Sequence, residues 1–309
     1  MNDRNLIFLI SLSRSGSTLL QHLILQSKQV SSSSEPWILL QLMCTYKNFK
    51  LNQSYSPQFG TLALKNFLDS DLKNFINDLK GLALKYYAKK LEGKRYFLDK
   101  TPRYYYIIDE LNRWFPQSKK IVLFRNPAAI FASYLAYFFG YDLKALFSDR
   151  PYIDDLFTGI RRLAYIKNKF GQNGSFCFVR FEDLVTRPKQ EMQRIFDFLD
   201  INDVPPGESD KYQIRYSDKT VFIGDRRRLV KHSRVEPQYA NLWTLDIRNA
   251  QIKRIISEYV RKLGKDIFDT LGYDYQLTLE KITSVKTKPS LFTKTLDHYL
   301  NKYYKCVKA

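Results

Sequence analysis

The chain has 309 residues, of which 44% are hydrophobic and 26% are charged. This composition is typical of a folded protein and excludes a disordered or low-complexity chain. The 50 lysines and arginines exceed the 31 aspartates and glutamates, so the formal net charge is +19. Such a charge indicates either a polyanion bound over a wide surface or a small, multiply charged anion. Because the basic residues are scattered without a long basic arm, the sequence favours a focused phosphate site over nucleic acid.

The cysteines and the apolar segments indicate the cellular compartment of the protein. Cys44, Cys177 and Cys306 include no close pair, and no histidine lies at metal-ligand spacing from them. They predict neither a disulfide framework nor a zinc site, and they favour a reducing environment. The apolar run at residues 6–10 is too short to cross a bilayer, and no other stretch reaches the ~18–20 apolar residues of a membrane helix. We therefore expect a cytoplasmic protein.

Apolar runs and helical spacing predict alternating strands and helices. Buried parallel strands are predicted at residues 5–11, 119–124 and 176–181. Helices are predicted up to about Gln26, twice within residues 61–92, and at residues 128–139, from Pro188 onwards and at 249–263. A strand, a tight loop and a helix at the start are typical of an α/β nucleotide-binding fold. We predict a single α/β domain over residues 1–275, with a P-loop-type central parallel sheet flanked by helices, and a basic C-terminal extension over residues 276–309.

The loop after the first predicted strand is a candidate anion cradle. Small residues between a strand and a helix expose successive backbone N–H groups beside the positive end of the helix dipole. Gly16 and Thr18 fit the ATPase P-loop pattern, but Ser11 and Ser17 replace its first glycine and its lysine. The basic residue stands instead at Arg14. The alternative interpretation is a simple Ser/Thr helix N-cap.

A second candidate site follows the strand at residues 119–124. Arg125 stands at its carboxyl end, where ligands bind in open α/β sheets. Ser133 lies eight residues further along, in the next predicted helix. An arginine fork and a hydroxyl donor suit one phosphate group. The alternative is a surface arginine and an unrelated helical serine.

Together the two sites resemble a known family. The sequence SRSGSTLL at residues 13–20, combined with RNPxxxxxS at residues 125–133, resembles the sulfotransferases that use 3′-phosphoadenosine 5′-phosphosulfate (PAPS). Residues 35–37, 99–103 and 179–185 are similar to further stretches of the bacterial-type, carbohydrate-sulfotransferase-like branch. The resemblance covers residues 5–272. The paired motifs are specific for the cofactor and not for the acceptor.

The resemblance implies roles for particular residues. The family's loop binds the 5′-phosphosulfate, which here implies Arg14, Ser15, Gly16, Ser17 and Thr18. Arg14 stands where the family has its catalytic lysine or arginine, and its cation would offset charge developing on the bridging oxygen. Arg125 and Ser133 match the pair that binds the 3′-phosphate. That phosphate distinguishes PAPS from ATP.

Transfer to an alcohol also requires a base near the acceptor hydroxyl. Glu35 is our candidate because it follows the first helix and resembles the family's acidic base segment. The bland alternative is a solvated loop glutamate. His232 is the rival base, and it is also a candidate for binding the substrate.

Further basic residues are candidates for binding substrate or cofactor. Lys100 and Arg103 are candidates for the transferring sulfonate or an acidic acceptor, or they belong to a solvated turn. The late loop at residues 224–234 resembles the family's loop that closes over the cofactor. Arg228 and Lys231 are candidates there for completing the 3′-phosphate site, although the sequence does not choose between them and Arg226 or Arg227.

The aromatic clusters at residues 104–106 and 134–141 have two interpretations. Packing within the core and between helices is the plainer one, and a platform on which a sugar stacks is the other.

The predicted reaction is in-line transfer of a sulfuryl group from PAPS to a hydroxyl of a saccharide or another hydroxylated metabolite, with 3′,5′-ADP as product. It requires no metal and no covalent enzyme intermediate. The alternatives are a P-loop nucleotide kinase or NTPase, which the missing P-loop lysine disfavours, and a non-catalytic polyanion-binding protein. The basic C-terminus is a candidate for contact with an anionic membrane. The sequence leaves the oligomeric state open.

Overall fold

A five-stranded parallel sheet forms the centre of the molecule. The strands are β1 (Leu6–Ser11), β2 (Val30–Ser32), β3 (Tyr96–Lys100), β4 (Lys119–Phe124) and β5 (Phe176–Arg180). The computed structural model describes residues 1–33, 35–47, 57–204 and 235–287. Every residue of β1 is buried, as expected for the middle strand of a parallel sheet that is covered on both faces.

The order of the strands creates a crevice at their carboxyl ends. The order is β2-β3-β1-β4-β5, and all neighbouring strands are parallel. From β1 the chain crosses to β2 at one edge, whereas from β4 it crosses to β5 at the other edge. The connections that leave β1 and β4 therefore diverge. Ligands of open α/β sheets bind at such a switch point.

Helices cover both faces of the sheet. The α-helices of the described residues are α1 (Ser17–Ile24), α2 (Ile38–Cys44), α3 (Pro57–Leu68), α4 (Leu72–Lys90), α5 (Ile108–Trp114), α6 (Pro127–Phe138), α7 (Leu143–Ser148), α8 (Arg150–Asp154), α9 (Ile160–Phe170), α10 (Phe181–Thr186), α11 (Pro188–Leu199), α12 (Ala250–Leu263), α13 (Lys265–Leu271) and α14 (Tyr275–Ser284). Short 3-10 turns lie at Asp3–Asn5, Asp69–Asp71, Pro102–Ile107, Pro237–Ala240 and Leu242–Asp246, and a π-helical turn lies at Asp155–Gly159.

The alternation of side chains along β1 produces two hydrophobic cores. Successive residues of a strand point to opposite faces of the sheet. Leu6, Phe8 and Ile10 accordingly lie in a larger cluster with α5, α6, α9 and α12. Ile7 and Leu9 lie in a smaller cluster with α1 and α11. The two cores cover the two faces of the sheet behind the crevice.

The predicted fold class is confirmed: the chain forms one α/β domain with a central parallel sheet flanked by helices. The three predicted strands correspond to β1, β4 and β5. The last described helix, α14, buries Ile282 in the larger core. The predicted boundary at residue 275 stays a prediction, because residues 288–309 lie outside the described part of the chain.

Two glycines offer a matched test of the packing. A Cβ atom on Gly159, in the π-helical turn, would lie 2.5 Å from Cδ2 of Leu12 and 3.1 Å from Cζ of Tyr105. We expect Gly159→Ala to lower the free energy of unfolding by about 1–3 kcal/mol through overpacking. A Cβ on Gly81 in α4 would have no neighbour within 4 Å, so Gly81→Ala should raise it by roughly 0.5–1 kcal/mol. Urea denaturation measures both, and an unaffected Gly159→Ala would contradict this packing.

Candidate active site

The loop between β1 and α1 adopts a tight conformation that depends on its residue types. Gly16 has a φ of 90°, and Arg14 has a φ of 63°. A Cβ at Gly16 would also overlap the ring of Phe181. Glycine is therefore required at position 16 both for its conformation and for its lack of a side chain.

The same loop presents donors suited to an anion. Ser17 opens α1, so the free N–H groups of the first helical turn point out of the helix at this loop. Ser15 is fully buried, and its Oγ has no hydrogen-bond partner among the described residues. A buried hydroxyl without a partner is costly, and a phosphate or sulfonate oxygen would satisfy it. The loop therefore fits the anion cradle that its sequence predicted, and a phosphosulfate group, as the family resemblance implies, would suit it.

Arg125 joins the second predicted site to the first. Its side chain is largely buried, and Nη1 donates a hydrogen bond of 2.7 Å to the carbonyl oxygen of Arg14. Its guanidinium lies 4.7 Å from the centroid of the Phe181 ring. Ser133, in α6, is buried, and its Oγ accepts a hydrogen bond of 3.1 Å from Nε of Arg14. Arg14, Arg125 and Ser133 thus meet at the switch point between β1 and β4.

Glu182 holds the turn that follows Arg125. Its Oε1 accepts a hydrogen bond of 3.0 Å from the backbone N–H of Asn126, and its Oε2 accepts one of 2.7 Å from Tyr273. The side chain of Asn126 then caps α6 by accepting a hydrogen bond of 2.9 Å from the N–H of Ala128. Sequence reasoning did not assign this role to Glu182. Its position just after a strand, within residues 179–185 that resemble the family, could have indicated this role.

Glu35 forms a buried ion pair with Lys100. Nζ of Lys100 lies 2.7 Å from Oε1 of Glu35, and the two side chains are 1% and 8% exposed. Oε2 of Glu35 accepts a hydrogen bond of 3.2 Å from the indole N–H of Trp37. Glu35 is therefore not a solvated loop residue. Its carboxylate is oriented through both of its oxygens.

Asp99 is a buried carboxylate beside this pair, and sequence reasoning assigned it no role. It is fully buried and accepts hydrogen bonds from Tyr87 (2.6 Å), Thr101 (2.7 Å) and Tyr104 (2.9 Å). Burial raises the pKa of Asp99 to about 6, with the nearby Glu35 adding to the rise and the three hydroxyl donors opposing it.

Two of the hydroxyl groups that donate to Asp99 also accept hydrogen bonds from the segment that contains Glu35. Thr101 Oγ1 accepts a hydrogen bond of 3.4 Å from the backbone N–H of Trp37, and the Tyr104 hydroxyl accepts one of 3.2 Å from that of Leu39. Trp37 has a φ of 54°, a left-handed conformation that is uncommon for a bulky residue. These bonds hold the start of α2, and with it the segment of Glu35, against β3.

Arg103 is also engaged by a buried acid. Its Nε and Nη2 contact the carboxylate of Asp155 at 3.0 and 2.7 Å, and Asp155 is fully buried. Asp155 also accepts hydrogen bonds from Tyr105 and, at 3.1 Å, from Tyr134. The charge of Arg103 is therefore balanced within the protein. Tyr104, Tyr105 and Tyr134 are fully buried, as the packing interpretation predicts.

The histidines divide between the described and the undescribed parts of the chain. His22 lies buried in α1, where burial, aided by the charge of Lys100, lowers its pKa to about 4. It is neutral at pH 7 and belongs to the packing of the helix. His232, Arg228 and Lys231 lie outside the described residues, so their predicted roles stay predictions.

Two structural features are absent from the described residues. None of their helices combines the length and the apolar character needed to cross a bilayer. They include no cluster of three or more His, Cys, Asp or Glu side chains arranged to hold a metal ion.

With this geometry established, comparison with known proteins identifies the family. The model of the sulfotransferase family matches residues 6–206, which is more than half of the chain. The chain belongs to the sulfotransferase family. This match confirms the predicted family.

The sulfotransferase is also similar to individual proteins. It is 27% identical over 289 residues to nodulation protein NoeE of Sinorhizobium fredii (strain NBRC 101917 / NGR234). The alignment covers 87% of this chain and 66% of NoeE, so the chain spans somewhat less than two thirds of that relative.

Two solved structures share its fold. A sulfotransferase domain from the curacin biosynthetic pathway has a TM-score of 0.57 and 23% identity, over 87% of this chain and 97% of that domain. A sulfotransferase from Alicyclobacillus acidocaldarius has a TM-score of 0.51 and 10% identity, over 87% and 96% of the two chains. At these identities the likeness concerns the fold alone, and it agrees with the predicted P-loop-type architecture.

The raised pKa of Asp99 leads to a test by pH. The value of about 6 exceeds the ordinary 3.8, so the folded protein binds the proton more tightly than the unfolded chain does. The stabilisation from this group is present in full below about pH 3.8 and is lost as the pH rises through about 6. Asn cannot titrate. The free energy of unfolding of the wild type minus that of Asp99→Asn should therefore fall by roughly 2–3 kcal/mol between about pH 4 and about pH 8.

Urea denaturation across that pH range measures the difference. Asp78→Asn, at an exposed position of α4, is the matched control, and we expect it to change the free energy by less than about 0.5 kcal/mol throughout. A difference between wild type and Asp99→Asn that does not vary with pH would contradict the assignment.

Proposed function

We propose that this sulfotransferase moves a sulfuryl group from PAPS to a hydroxyl of a saccharide or another hydroxylated metabolite, with 3′,5′-ADP as the second product. The observation that carries the proposal is the junction of Arg14, Arg125 and Ser133 at the switch point of the sheet. It brings two candidate anion sites to one crevice, as a donor with a phosphosulfate and a separate 3′-phosphate requires.

The residues present fit the donor. The loop N–H groups, the buried Ser15 hydroxyl and Thr18 would hold the 5′-phosphosulfate, while Arg125 and Ser133 would hold the 3′-phosphate. PAPS supplies an activated sulfuryl group attached to a phosphate leaving group. Arg14 would offset the charge that develops on the oxygen bridging phosphorus and sulfur. In this reaction the bond between sulfur and the bridging oxygen breaks, and a bond between sulfur and the acceptor oxygen forms.

Glu35 would accept the proton that the acceptor hydroxyl loses. Its ion pair with Lys100 and its hydrogen bond from Trp37 orient the carboxylate before the acceptor binds. A base that is already oriented avoids the entropic cost of positioning it during the reaction. Lys100 and Arg103 remain candidates for contact with the sulfonate or the acceptor, beside their carboxylate partners.

The two alternatives from the sequence make different predictions for ligand binding. A kinase or NTPase would prefer ATP with Mg²⁺, although Ser17 replaces the lysine that holds the β- and γ-phosphates. A polyanion-binding protein would show no preference for a 3′-phosphate, and its affinity for nucleic acid would fall steeply with salt. Family membership favours the sulfotransferase.

We further propose a cytoplasmic location for this protein and contact with an anionic membrane through the basic residues after 275. Most of residues 276–309 lie outside the described part of the chain.

Calorimetric titration tests the donor site. We expect 3′,5′-ADP to bind more tightly than 5′-AMP or ATP, because only the first carries a 3′-phosphate for Arg125. Arg125→Ala should lower the affinity for 3′,5′-ADP by about 10- to 150-fold, because it removes a charge-assisted hydrogen bond worth about 1.5–3 kcal/mol. Binding of 5′-AMP should change little.

Arg261→Ala removes the same charge from an exposed position of α12 and is the control for net charge. Equal binding of the three nucleotides by the wild type would contradict the proposal and would direct the work to ATP turnover and nucleic-acid binding.

Replacement of the proposed base tests the mechanism. We expect Glu35→Gln to lower kcat by about 100- to 10,000-fold, the usual contribution of a general base, and to leave the affinity for 3′,5′-ADP unchanged. Glutamine can still accept the hydrogen bond from Lys100. Release of 3′,5′-ADP from PAPS with a saccharide acceptor measures the rate.

Glu258→Gln, which replaces a carboxylate of α12 that pairs with Arg261, is the matched control. If His232→Asn abolished turnover while Glu35→Gln did not, His232 would be the base instead.

A further inference from the structure

Four partly exposed aromatic rings line one side of the crevice. We call Tyr137, Phe138, Tyr152 and Trp37 the aromatic wall. The ring centroids of Tyr137 and Phe138 lie 5.0 Å apart, and those of Phe138 and Tyr152 lie 4.6 Å apart. The guanidinium of Arg103 bridges the remaining gap, at 5.8 Å from the Tyr152 ring and 5.9 Å from the Trp37 ring.

The two ends of the aromatic wall contact the two groups assigned to catalysis. At one end, the guanidinium of Arg14 lies 3.9 Å from the centroid of the Tyr137 ring. At the other end, the indole N–H of Trp37 donates to Glu35. In-line transfer requires the acceptor oxygen to lie between the sulfonate and the base. An acceptor in that position would lie along the aromatic wall.

We propose that the aromatic wall is the acceptor subsite and that it binds a neutral sugar ring by stacking. This inference rests on the proposed function, because it takes Arg14 and Glu35 as the two ends of the reaction. The rings of Tyr137 and Phe138 remain 39% and 37% exposed, although residues 127–135 of the same helix are buried. A sugar ring presents C–H groups on one face, and these are attracted to the negative face of an aromatic ring.

The polar groups beside the aromatic wall distinguish a sugar from other acceptors. A sugar carries hydroxyls around its edge, and Arg103 and Glu35 offer a donor and an acceptor there. A long-chain alcohol has only one hydroxyl, so it would form fewer hydrogen bonds with Arg103 and Glu35 than a sugar and would gain less binding free energy there. An acidic acceptor gains little from Arg103, since Asp155 already balances its charge.

The test is a panel of acceptors with PAPS: cellotriose, maltotriose and chitotriose, with dodecanol and 2-naphthol as apolar hydroxyl compounds. We expect at least one saccharide to be sulfated with a higher kcat/KM than either apolar compound. For that saccharide, Phe138→Ala should raise KM at least about 10-fold and change kcat less than about 3-fold, because stacking contributes roughly 1.4 kcal/mol or more to binding.

The controls separate stacking from folding. Phe138→Tyr keeps the ring and should restore the wild-type KM. Tyr86→Ala removes an exposed ring from α4 and should leave KM unchanged. The affinity for 3′,5′-ADP, measured for each variant, reports whether the donor site is intact.

Three results would overturn the inference. They are sulfation of dodecanol or 2-naphthol alone, turnover of no compound in the panel, or an unchanged KM in Phe138→Ala. If the protein still binds 3′,5′-ADP in these experiments, the donor site is intact, and the result counts against the acceptor subsite and not against the proposed function. If the wild type did not bind 3′,5′-ADP, the proposed function itself would be wrong.

Discussion

The hydrogen bond from Arg125 to the carbonyl oxygen of Arg14 joins the carboxyl ends of β1 and β4, and the geometry of the candidate site depends on it. The two strands lie side by side in the middle of the sheet, but their connections leave in opposite directions. Side chains of one loop and its helix link it to the other loop. Arg125 and Ser133 provide that link from one side, and the unusual backbone of Arg14 and Gly16 presents the other. The ring of Phe181 packs against both Gly16 and Arg125 and so contacts both sides of this junction.

Buried charges hold the opposite side of the crevice. Moving a charge out of water is costly unless a partner is fixed in good geometry, and each buried charge here has such a partner. Lys100 pairs with Glu35, Arg103 pairs with Asp155, and Asp99 accepts three hydroxyl donors. Removing one member of a buried pair leaves the other uncompensated, so these residues are constrained to one arrangement. A base oriented in this way is ready for the proposed chemistry without rearrangement.

The same arrangement connects catalysis to the choice of acceptor. Arg14, one of the two catalytic candidates, packs on Tyr137 of the aromatic wall. Trp37, a member of that wall, donates a hydrogen bond to Glu35, the other candidate, and lies near Arg103. An acceptor that stacks on these rings would be held at the place where its hydroxyl is needed. The binding energy of the part of the acceptor that does not react can then contribute to the orientation of the part that does.

The sequence by itself determined the fold class, the three strands that carry the motifs, the family and the residue types of the two anion sites. These features depend on local patterns: the apolar runs, the small-residue loop, and the arginine and serine spaced along a strand and a helix. The tertiary structure alone decided that Glu35 is buried against Lys100, that Arg103 is balanced by Asp155, and that Asp99 holds the segment of Glu35. Glu35 and Lys100 are 65 residues apart, and Arg103 and Asp155 are 52 apart. No spacing rule predicts such pairs, because the packing of the sheet and its helices brings them together.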